Sequence, residues 1–522
     1  MRIGWVINMA EHSSYPLEIS LCFDDVLMSP RFSSIQSRKD VDISINIGTG
    51  RRKLILKTPI MSSPMDTVSM SSMCIQMALT GGLGILHRYQ SIESQVTELK
   101  KVKRYLQYVI SEPYTLTESH TLLQVKEMKK ELKISTFCVT DSSGKLTGLL
   151  TNRDMEYTAN NAESLVVKCM NLRCNLQTIT MDATEFAEIS NKTDFDKLGA
   201  LIHNAKELML KYKVEKIPIV DAEDKLLGLI TYKNVKHYEN NANMACLDSA
   251  GMLACGAAIG IVGDWWERLI ALVENGADAI CIDVASGHNA NLGGAIDRIR
   301  SCFPEVILIA GNVCTGDGFA YLASKDIDCI RVGIGNGSIC STRGKTGVGR
   351  GQFTSILDCF DAKILGGFQC NIISDGGSMN SVGNKAKAIF AGAGVLMLGR
   401  TLAATEESPS MIIYKDGQKF KYTRGMASTS ANISKAELCD GASKLTEETY
   451  KKHSEGVDGY TPLSGSVKDV IDEIVAGLKS SFSYMGCASI DEAHELRRTK
   501  AIVFSLITSL GMNETKTRLL KL

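Results

Sequence analysis

The glycine-rich segment 332–352 (VGIGNGSICSTRGKTGVGRGQ) contains one cysteine, Cys340, in a loop that follows a short β-branched run. Gly335 and Gly337 lack a Cβ, so the main chain of this loop can approach a ligand closely. Arg343 and Lys345 lie nearby in sequence and would favour the thiolate, which is the nucleophilic form of cysteine. An isolated cysteine is more often an inert buried residue, but this setting predicts a covalent nucleophile.

Eight short apolar runs, most followed by helix-compatible sequence, are the elements that would position this loop. They are residues 59–66, 82–87, 255–260, 279–285, 306–313, 329–335, 371–377 and 394–400. Their spacing from the third run onward corresponds to one βα unit, which predicts parallel strands with crossover helices. Eight such units predict an α/β fold, the (β/α)8 TIM barrel, whose functional residues lie at the carboxyl ends of the strands.

Polar residues stand at the predicted carboxyl ends of nearly all these runs. They are Asp66, His87, Asp283, Asn312, the Cys340 loop, Asp375 with Gly376 and Gly377, and Gly399 with Arg400. One or two of them could simply cap the following helix. A whole ring of polar residues instead predicts a functional site.

An internal repeat lies between the second and third runs. Residues 141–154 (DSSGKLTGLLTNRD) match residues 221–234 (DAEDKLLGLITYKN), and each copy predicts a strand, a tight turn, a strand and a threonine that opens a helix. The pair resembles tandem CBS motifs, a regulatory module that often binds adenine or guanine nucleotides. The resemblance implies nucleotide contacts from Thr151, Asp154 and Thr231. A purely structural inserted domain is the alternative.

Composition and the chain ends limit the partners and the compartment. The formal net charge of +0 gives no indication of nucleic-acid binding. No apolar run approaches the ~20 residues needed to cross a bilayer, and the start lacks a signal pattern, so we expect no membrane partner. The 16 cysteines form no short-spaced pairs, which indicates a reducing compartment. The last residues, 520–522 (LKL), resemble the peroxisomal S-K-L address, so we expect a peroxisome-type organelle (a glycosome) or the cytoplasm.

Five further segments accompany the cysteine loop and the inserted repeat. They are residues 23–27 (FDDVL), 62–67 (SSPMDT), 310–312 (AGN), 374–377 (SDGG) and 424–426 (RGM). Together these features resemble the family of IMP dehydrogenase and GMP reductase over nearly the whole chain. The resemblance implies a first barrel part at 1–105, a tandem CBS domain at 106–241, and a second barrel part with the active site and a flap at 242–522.

Two reactions occur in this family, and both begin with a cysteine thiolate adding to C2 of a purine nucleotide. The dehydrogenases then hydrolyse the adduct with a base supplied by an Arg-Tyr pair on a mobile flap. In this chain the corresponding stretch, 431–455, has no arginine, and its only tyrosine, Tyr450, follows Thr449. The water-activating base is therefore missing, which favours the reductase: NADPH-dependent conversion of GMP to IMP and ammonia.

Two more segments resemble the reductases, and two resemble the dehydrogenases. The continuation 346–349 (TGVG) and the sequence 454–456 (SEG) are reductase-like, and Glu455 with Thr342 would relay a proton to departing ammonia. Residues 62–65 (SSPM) and the CBS insert are closer to the dehydrogenases. An IMP dehydrogenase with an atypical flap and a non-catalytic nucleotide-binding regulator stay open as alternatives.

The resemblance also implies a role for each site residue. The catalytic residues would be Cys340, Thr342 and Glu455. The substrate would contact Ser63, Met65, Ser338, Asp375, Gly376, Gly377, Gly399, Arg400, Tyr422, Gly425 and Met426. Within that set the phosphate would be held by Gly376, Gly377, Gly399 and Arg400, with further contacts from Ser338 and Tyr422. Asp375 would accept the ribose hydroxyls, and Met65 and Met426 would flank the base.

The cofactor expected from the resemblance is NADPH, contacted by Asp283, Ala285, Arg88 and Gly333. The carbonyls of Gly335, Gly337 and Cys340 match the family's monovalent-cation loop, which implies a possible K+ site. Members of this family are usually homotetramers or homo-octamers, so the resemblance implies the same here. No G-x-G-x-x-G fingerprint follows a strand, which argues against a Rossmann domain.

Overall fold

In the computed structural model, the described residues are 17–106, 108–132, 134, 136–157, 163–190, 195–241, 244–377, 381–435, 454–508 and 510–511. The chain divides into two compact units. One contains residues 1–103, 244–248 and 253–522, and the other contains residues 104–243 and 249–252.

Eight parallel strands form the centre of the larger unit. They are β1 (Ile60–Ser62), β2 (Gly84–Leu86), β3 (Cys255–Ile259), β4 (Ala279–Asp283), β5 (Ile307–Val313), β6 (Cys329–Val332), β7 (Asn371–Asp375) and β8 (Val395–Leu398). Neighbours in sequence pair in order from β2 to β8, and β8 pairs with β1. A parallel bridge between Met61 and Leu83 joins β1 to β2, which closes the sheet into the expected TIM barrel.

Helices surround this sheet, one after each strand. They are α1 (Ser71–Leu79), α2 (Ile92–Lys103), α3 (Trp265–Glu274), α4 (Ala290–Cys302), α5 (Gly316–Ala323), α6 (Gln352–Gly366), α7 (Val382–Ala391) and α8 (Val467–Met485). Helix α8 packs against both α7 and α1, which completes the ring. The strands have continuous apolar sequences because parallel strands covered by helices are buried on both faces.

Apolar side chains of the strands fill the interior of the barrel. Met61, Ile85, Ala258, Cys281, Ile309, Ile373 and Met397 form one buried cluster. Leu54 and Leu56 belong to the same cluster and come from a small antiparallel pair, Ile45–Asn46 with Ile55–Leu56. This hairpin fills the amino end of the barrel with apolar side chains and leaves the polar residues at the carboxyl end.

Smaller elements complete this unit. Strand Val26–Met28 pairs with Phe504–Leu506, and a three-stranded antiparallel sheet contains Ile412–Lys415, Gln418–Arg424 and Asp458–Pro462. The remaining helices are Thr342–Thr346, Arg400–Ala403, Thr429–Lys435 and Ile490–Arg498, and the 3-10 turns are Phe23–Asp25 and Arg38–Asp40. The antiparallel sheet lies between β8 and α8 in the chain and carries the segment that follows Arg424.

The smaller unit contains the internal repeat as two similar halves. The first half has strands Thr115–Leu116, Thr136–Thr140, Leu146–Thr151 and Asn171–Leu172, with helices Leu122–Leu132 and Asn152–Tyr157. The second has strands Ile179–Thr180, Lys216–Val220 and Leu226–Thr231, with helices Ala183–Ser190, Phe195–Tyr212 and Tyr232–Asn241. The 3-10 turns of this unit are Val166–Lys168 and Arg173–Asn175.

The two hairpins of the repeat have the same register irregularity. It lies between Val139 and Thr140 in the first half and between Ile219 and Val220 in the second. A bulge at the same position in both copies supports a structural repeat, because bulges are specific features of a strand pair.

Among the described helices, none has a stretch both apolar and long enough to cross a membrane. Thr449, Tyr450 and residues 520–522 lie outside the described residues.

Candidate active site

The three predicted catalytic side chains meet after the carboxyl end of β6. Cys340 is exposed, and its sulfur lies 3.1 Å from the hydroxyl of Thr342. That hydroxyl donates to Oε2 of Glu455 over 2.7 Å. Because the threonine oxygen can accept from a thiol while it donates to a carboxylate, the three groups form a path for a proton.

Backbone hydrogen bonds hold Glu455 beside the cysteine loop. The Ser341 N–H donates to the Glu455 carbonyl over 2.8 Å, and the Val457 N–H donates to the Ile339 carbonyl over 3.0 Å. On the other side, the Glu455 N–H donates to the Ala427 carbonyl over 3.0 Å. The carboxylate is thus carried by a segment that is hydrogen-bonded to two different loops.

Two glycines allow these loops to approach each other. A Cβ on Gly456 would lie 2.9 Å from the Ser428 nitrogen and 3.2 Å from Cα of Gly425. A Cβ on Gly425 would lie 3.1 Å from the Ile339 carbonyl oxygen. Gly425, predicted as a substrate contact, therefore also has a packing role.

The two cations near Cys340 in sequence bind backbone carbonyls. Arg343 donates from Nε to the Ile334 carbonyl over 3.3 Å and from Nη2 to the Arg350 carbonyl. Lys345 donates to the carbonyl of Ser454. Both side chains hold the loop in place, and their stabilisation of a thiolate stays a prediction.

A buried ion network connects four strands at the carboxyl end of the barrel. Arg331 in β6 donates from Nη1 to Oδ1 of Asp283 over 2.7 Å, and from Nε and Nη2 to Oδ2 of Asp375 over 3.2 and 2.8 Å. Asn312 in β5 also donates to Oδ2 of Asp375 over 2.8 Å. Burial lowers the pKa of Arg331, but Asp375 and Asp283 outweigh this and raise the pKa well above its usual value.

Sequence reasoning missed Arg331, although a signal was present. It is a charged residue inside an otherwise apolar strand, and such a residue is seldom buried unless it is paired. Its partners are two of the predicted ligand-binding residues, so we place it in the site.

The predicted phosphate loop is held by two further residues that sequence reasoning missed. Asn336 donates to the Asp375 carbonyl over 2.9 Å and to Gln352 over 2.5 Å, and its own carbonyl accepts from Gly377 over 3.2 Å. Gly376 and Gly377 have φ values of 78° and 83°, which favour glycine. The cysteine loop and the glycine pair after β7 are therefore hydrogen-bonded neighbours.

The other predicted substrate residues cluster after β1 and β8. A Cβ on Gly399 would lie 3.3 Å from the Met65 sulfur and 3.4 Å from the Ser63 hydroxyl, so these three residues are neighbours. Arg400 and Ser338 are exposed, as expected for groups that would meet a phosphate from solvent.

Met426 is held against the end of β1. Its sulfur accepts a hydrogen bond from the Asp66 N–H over 3.4 Å, and its carbonyl accepts from the Tyr89 hydroxyl over 3.0 Å. Arg424 donates to Asp66 from Nε and Nη2 over 2.8 and 2.5 Å. Burial lowers the pKa of Arg424, but Asp66 reverses this and raises it.

Tyr422 lies two residues before Arg424 on the same strand, and both side chains line one cavity with Asp66. Its hydroxyl donates to Asp458 over 2.9 Å, and burial and that carboxylate raise its pKa. Its strand neighbour Thr423 is buried, with its hydroxyl 3.5 Å from that of Thr67. Side chains alternate along a strand, so Thr423 and Tyr422 lie on opposite faces. A phosphate contact from Tyr422 stays a prediction.

The predicted cofactor residues follow β2, β4 and β6. Nε of Arg88 lies 3.8 Å from Oδ2 of Asp283, and in the described part of the chain this buried nitrogen has no hydrogen-bond partner. Ala285 is exposed and Gly333 is buried, with its carbonyl accepting from Asn312 over 2.8 Å. An unsatisfied guanidinium donor beside a strand-end carboxylate fits a dinucleotide, whose phosphates accept and whose ribose donates.

The predicted metal site would use main-chain carbonyl oxygens as ligands. The Gly337 carbonyl accepts from the Cys340 N–H over 3.1 Å, and a carbonyl has a second lone pair for a cation. The K+ site at Gly335, Gly337 and Cys340 stays a prediction. Over the described residues, no group of three or more His, Cys, Asp or Glu side chains could hold a metal ion.

The regulatory candidates have nearly identical local geometry in both halves of the repeat. Oδ2 of Asp154 accepts from the Thr151 N–H over 2.8 Å and from its hydroxyl over 2.7 Å. Oδ1 of Asn234 accepts from the Thr231 N–H over 2.8 Å and from its hydroxyl over 2.5 Å. The asparagine thus preserves the hydrogen bonds of the aspartate but not its charge.

Comparison with known proteins identifies the family of the chain. The model of the IMP dehydrogenase / GMP reductase domain matches residues 20–518. The chain belongs to this family. It is therefore an oxidoreductase-family protein, and the family uses a nicotinamide cofactor.

The similar proteins include members with both activities. Inosine-5'-monophosphate dehydrogenases of Nitrosopumilus maritimus and Aquifex aeolicus are each 36% identical, over 91% and 95% of this chain and 94% of each relative. The crystal structure of a cysteine-to-alanine variant of Trypanosoma brucei GMP reductase, in complex with GMP, has a TM-score of 0.81 at 32% identity. It covers 97% of this chain and 99% of that one. The same enzyme in complex with GTP has a TM-score of 0.71 at 28% identity, over 94% of this chain and 99% of that one.

Proposed function

We propose that this protein is a GMP reductase, which converts GMP, NADPH and one proton to IMP, ammonia and NADP+. The observation that carries the proposal is the hydrogen-bonded row of Cys340, Thr342 and Glu455. A carboxylate there can return a proton to a departing amine. The Trypanosoma brucei enzyme, similar over nearly the whole chain, supports the same reaction.

The hydrogen-bonded row can move the proton that each proposed step requires. The Cys340 proton passes through the Thr342 hydroxyl to Glu455, and the thiolate adds to C2 of the guanine. Glu455 returns the proton through Thr342 as the C2–N bond breaks, so ammonia leaves and a thioimidate remains. When bound, NADPH supplies a hydride to C2. The C2–S bond then breaks and releases IMP, and solvent protons restore the thiol and give ammonium.

The residues around the row would position the ligands. Asp375 would accept hydrogen bonds from the ribose hydroxyls of GMP, and the backbone N–H groups at Gly376, Gly377 and Gly399 would donate to the phosphate. Asp283 and Arg88 would hold the cofactor. The same proposal includes purine nucleotides bound at the CBS pair, NADPH rather than NADH as the cofactor, and a K+ ion at the cysteine loop.

The IMP dehydrogenase reaction is the second candidate. The 36% identity to dehydrogenases of two organisms favours it. It would require another base to activate water, because residues 431–455 contain no arginine.

A direct assay separates the two. The purified protein is incubated with GMP and NADPH while absorbance of the reduced cofactor and free ammonia are followed, and in parallel with IMP and NAD+. Equal amounts of NADPH consumed and ammonia released support the proposal. NADH and xanthosine monophosphate formed from IMP, without GMP reduction, would overturn it.

The variant Cys340→Ala tests the covalent step. We expect turnover to fall by at least about 1,000-fold, since no other nucleophile replaces the thiol, while GMP still binds. Turnover and GMP binding by calorimetry are the measurements. Cys302→Ala, another exposed cysteine, is the control. Turnover near that of the unaltered protein would exclude covalent catalysis by Cys340.

A further inference from the structure

Arg331 is a buried cation shared by the two carboxylates that the proposed function assigns to different ligands. Its side chain is 8% exposed, compared with 19% for Asp283 and 16% for Asp375. The planar guanidinium uses one terminal nitrogen for Asp283 and its other edge for Asp375. One planar side chain therefore joins the two carboxylates by hydrogen bonds.

The hydrogen bonds on Asp375 leave one oxygen for a ligand. Oδ2 accepts all three donors, two from Arg331 and one from Asn312. Within the described chain, no residue donates to Oδ1 of Asp375. Oδ1 of Asp283 accepts from Arg331, and Oδ2 has, among the residues that the structure describes, only the 3.8 Å contact with Arg88. Each carboxylate thus has one oxygen fixed by the cation and one free to accept from a hydroxyl.

We propose that Arg331 is a positioning residue that couples nucleotide binding at Asp375 to cofactor binding at Asp283. This inference rests on the proposed function for the identity of the two ligands. A ligand that orders either carboxylate also orders the shared guanidinium. The second ligand then meets a carboxylate that is already oriented, and it binds more tightly.

A lysine cannot replace this geometry. An ammonium is a point charge on a flexible stem, whereas the guanidinium binds two carboxylates along fixed directions. Arg331→Lys therefore preserves the charge and removes the coupling. By linkage, the same factor is lost whichever ligand binds first.

Arg52 provides a matched control. Its side chain is 10% exposed and also joins two carboxylates, with 2.7 Å contacts to Asp326 and Asp328. It lies near the amino end of β6, whereas Arg331 lies near the carboxyl end. Arg52→Lys therefore repeats the chemical change in a similar ionic setting remote from the site.

The experiment measures GMP affinity with and without saturating NADP+, in a Cys340→Ala background that prevents chemistry. With Arg331 intact, we expect NADP+ to tighten GMP binding about five-fold or more. The factor should fall to about one in Arg331→Lys and persist in Arg52→Lys. In the Cys340 form, Arg331→Lys should raise KM for GMP and for NADPH about ten-fold, with kcat changed less than about three-fold.

Coupling that persists in Arg331→Lys overturns the inference, as does its loss in Arg52→Lys. If Arg331→Lys does not fold, Arg331→Gln, which retains donors without the fork, is measured in the same way. GMP reduction by the unaltered protein is assayed separately. Failure of that assay removes the proposed function, whereas intact GMP reduction with undiminished coupling removes only the role of Arg331.

Discussion

The proposed chemistry depends on Thr342, because this residue joins a sulfur to a carboxylate 113 residues further along the chain. Its hydroxyl donates to Glu455 and can accept from Cys340, so in the proposed reaction it would pass a proton in either direction. A valine there would keep the shape and remove the path. The sequence predicted all three residues, since each stands in a segment that resembles the family.

At the residue scale, Glu455→Gln tests the proton donor. Glutamine preserves the size of the side chain and accepts a hydrogen bond from Thr342, but it cannot deliver a proton to the amino group that leaves as ammonia. We expect kcat for GMP reduction to fall about 100- to 1,000-fold, with GMP affinity changed little. Steady-state kinetics with NADPH measure this. Glu406→Gln is the control and should leave kcat unchanged. Glu406 is exposed, and its hydrogen bond to the Gly465 carbonyl is made by the backbone N–H. Equal rates for both variants would refute the role of Glu455.

His87 allows a second prediction at this scale, about pH. Burial is the main reason that its pKa falls from 6.5 to about 4, and the nearby Arg268 and Arg424 add to the decrease. The unfolded chain therefore binds a proton between these values while the folded chain does not. Stability is fully present above pH 6.5 and decreases as pH falls toward 4, by up to about 3 kcal/mol from this residue.

Tryptophan fluorescence during urea unfolding measures this effect, because Trp265 and Trp266 both lie in α3 of the barrel. His87→Gln should reduce the loss of unfolding free energy between pH 7 and pH 4.5. His203→Gln, at an exposed histidine of the other unit, should leave the loss unchanged. An identical pH dependence in His87→Gln would contradict the assignment.

At the element scale, the position of Glu455 depends on close backbone packing rather than on a regular helix or strand. Residues 454–457 bind the cysteine loop on one side and residues 425–427 on the other. Both contacts are close: a Cβ on Gly456 would lie 2.9 Å from the Ser428 nitrogen, and one on Gly425 would lie 3.1 Å from the Ile339 carbonyl oxygen. The Glu455 carboxylate is therefore positioned by three segments that are far apart in sequence.

Gly456→Ala should separate these segments. The added methyl group meets the Ser428 nitrogen at 2.9 Å, so the backbone must move and Glu455 moves with it. We expect kcat to fall about 10- to 100-fold, as small displacements of catalytic groups have effects of this size. Gly459→Ala, three residues away with no atom within 4 Å of its Cβ, is the control in the same kinetic assay. A normal kcat in Gly456→Ala would show that the contact is not needed.

The strands of the barrel were predictable for a simple reason. Parallel strands buried on both faces read as continuous apolar runs, and all eight runs contain a barrel strand. Arg331 was not predicted because its partners lie on other strands, which only the folded barrel brings together. Asn336 was missed for the same reason.

At the scale of the whole molecule, the second unit is a duplicated module within one chain. The two hairpins share a bulge position, and the Thr151–Asp154 contact recurs as Thr231–Asn234. The duplication was predictable from sequence because both copies retain an aspartate and a lysine around the turn and the same apolar pattern. What the sequence did not reveal is that Asn234 reproduces the hydrogen bonds of the aspartate.

If this unit senses purine nucleotides, the assembly should respond to them. We expect GTP or ATP to change the mass of the particle measured by light scattering, and Thr151→Ala to weaken that response at least about five-fold. Thr147→Ala, on the same strand with its hydroxyl 3.4 Å from the Val139 carbonyl, is the control. An unchanged mass with every purine nucleotide would leave the unit with a structural role.

The substitution at Asn234 has a consequence for how many effectors one chain would hold. A ribose offers hydroxyl protons, and a carboxylate attracts them more strongly than a neutral amide does. The two halves have equal local geometry but unequal charge, so they would bind an effector with unequal affinity. We therefore expect a stoichiometry of one tightly bound effector per polypeptide.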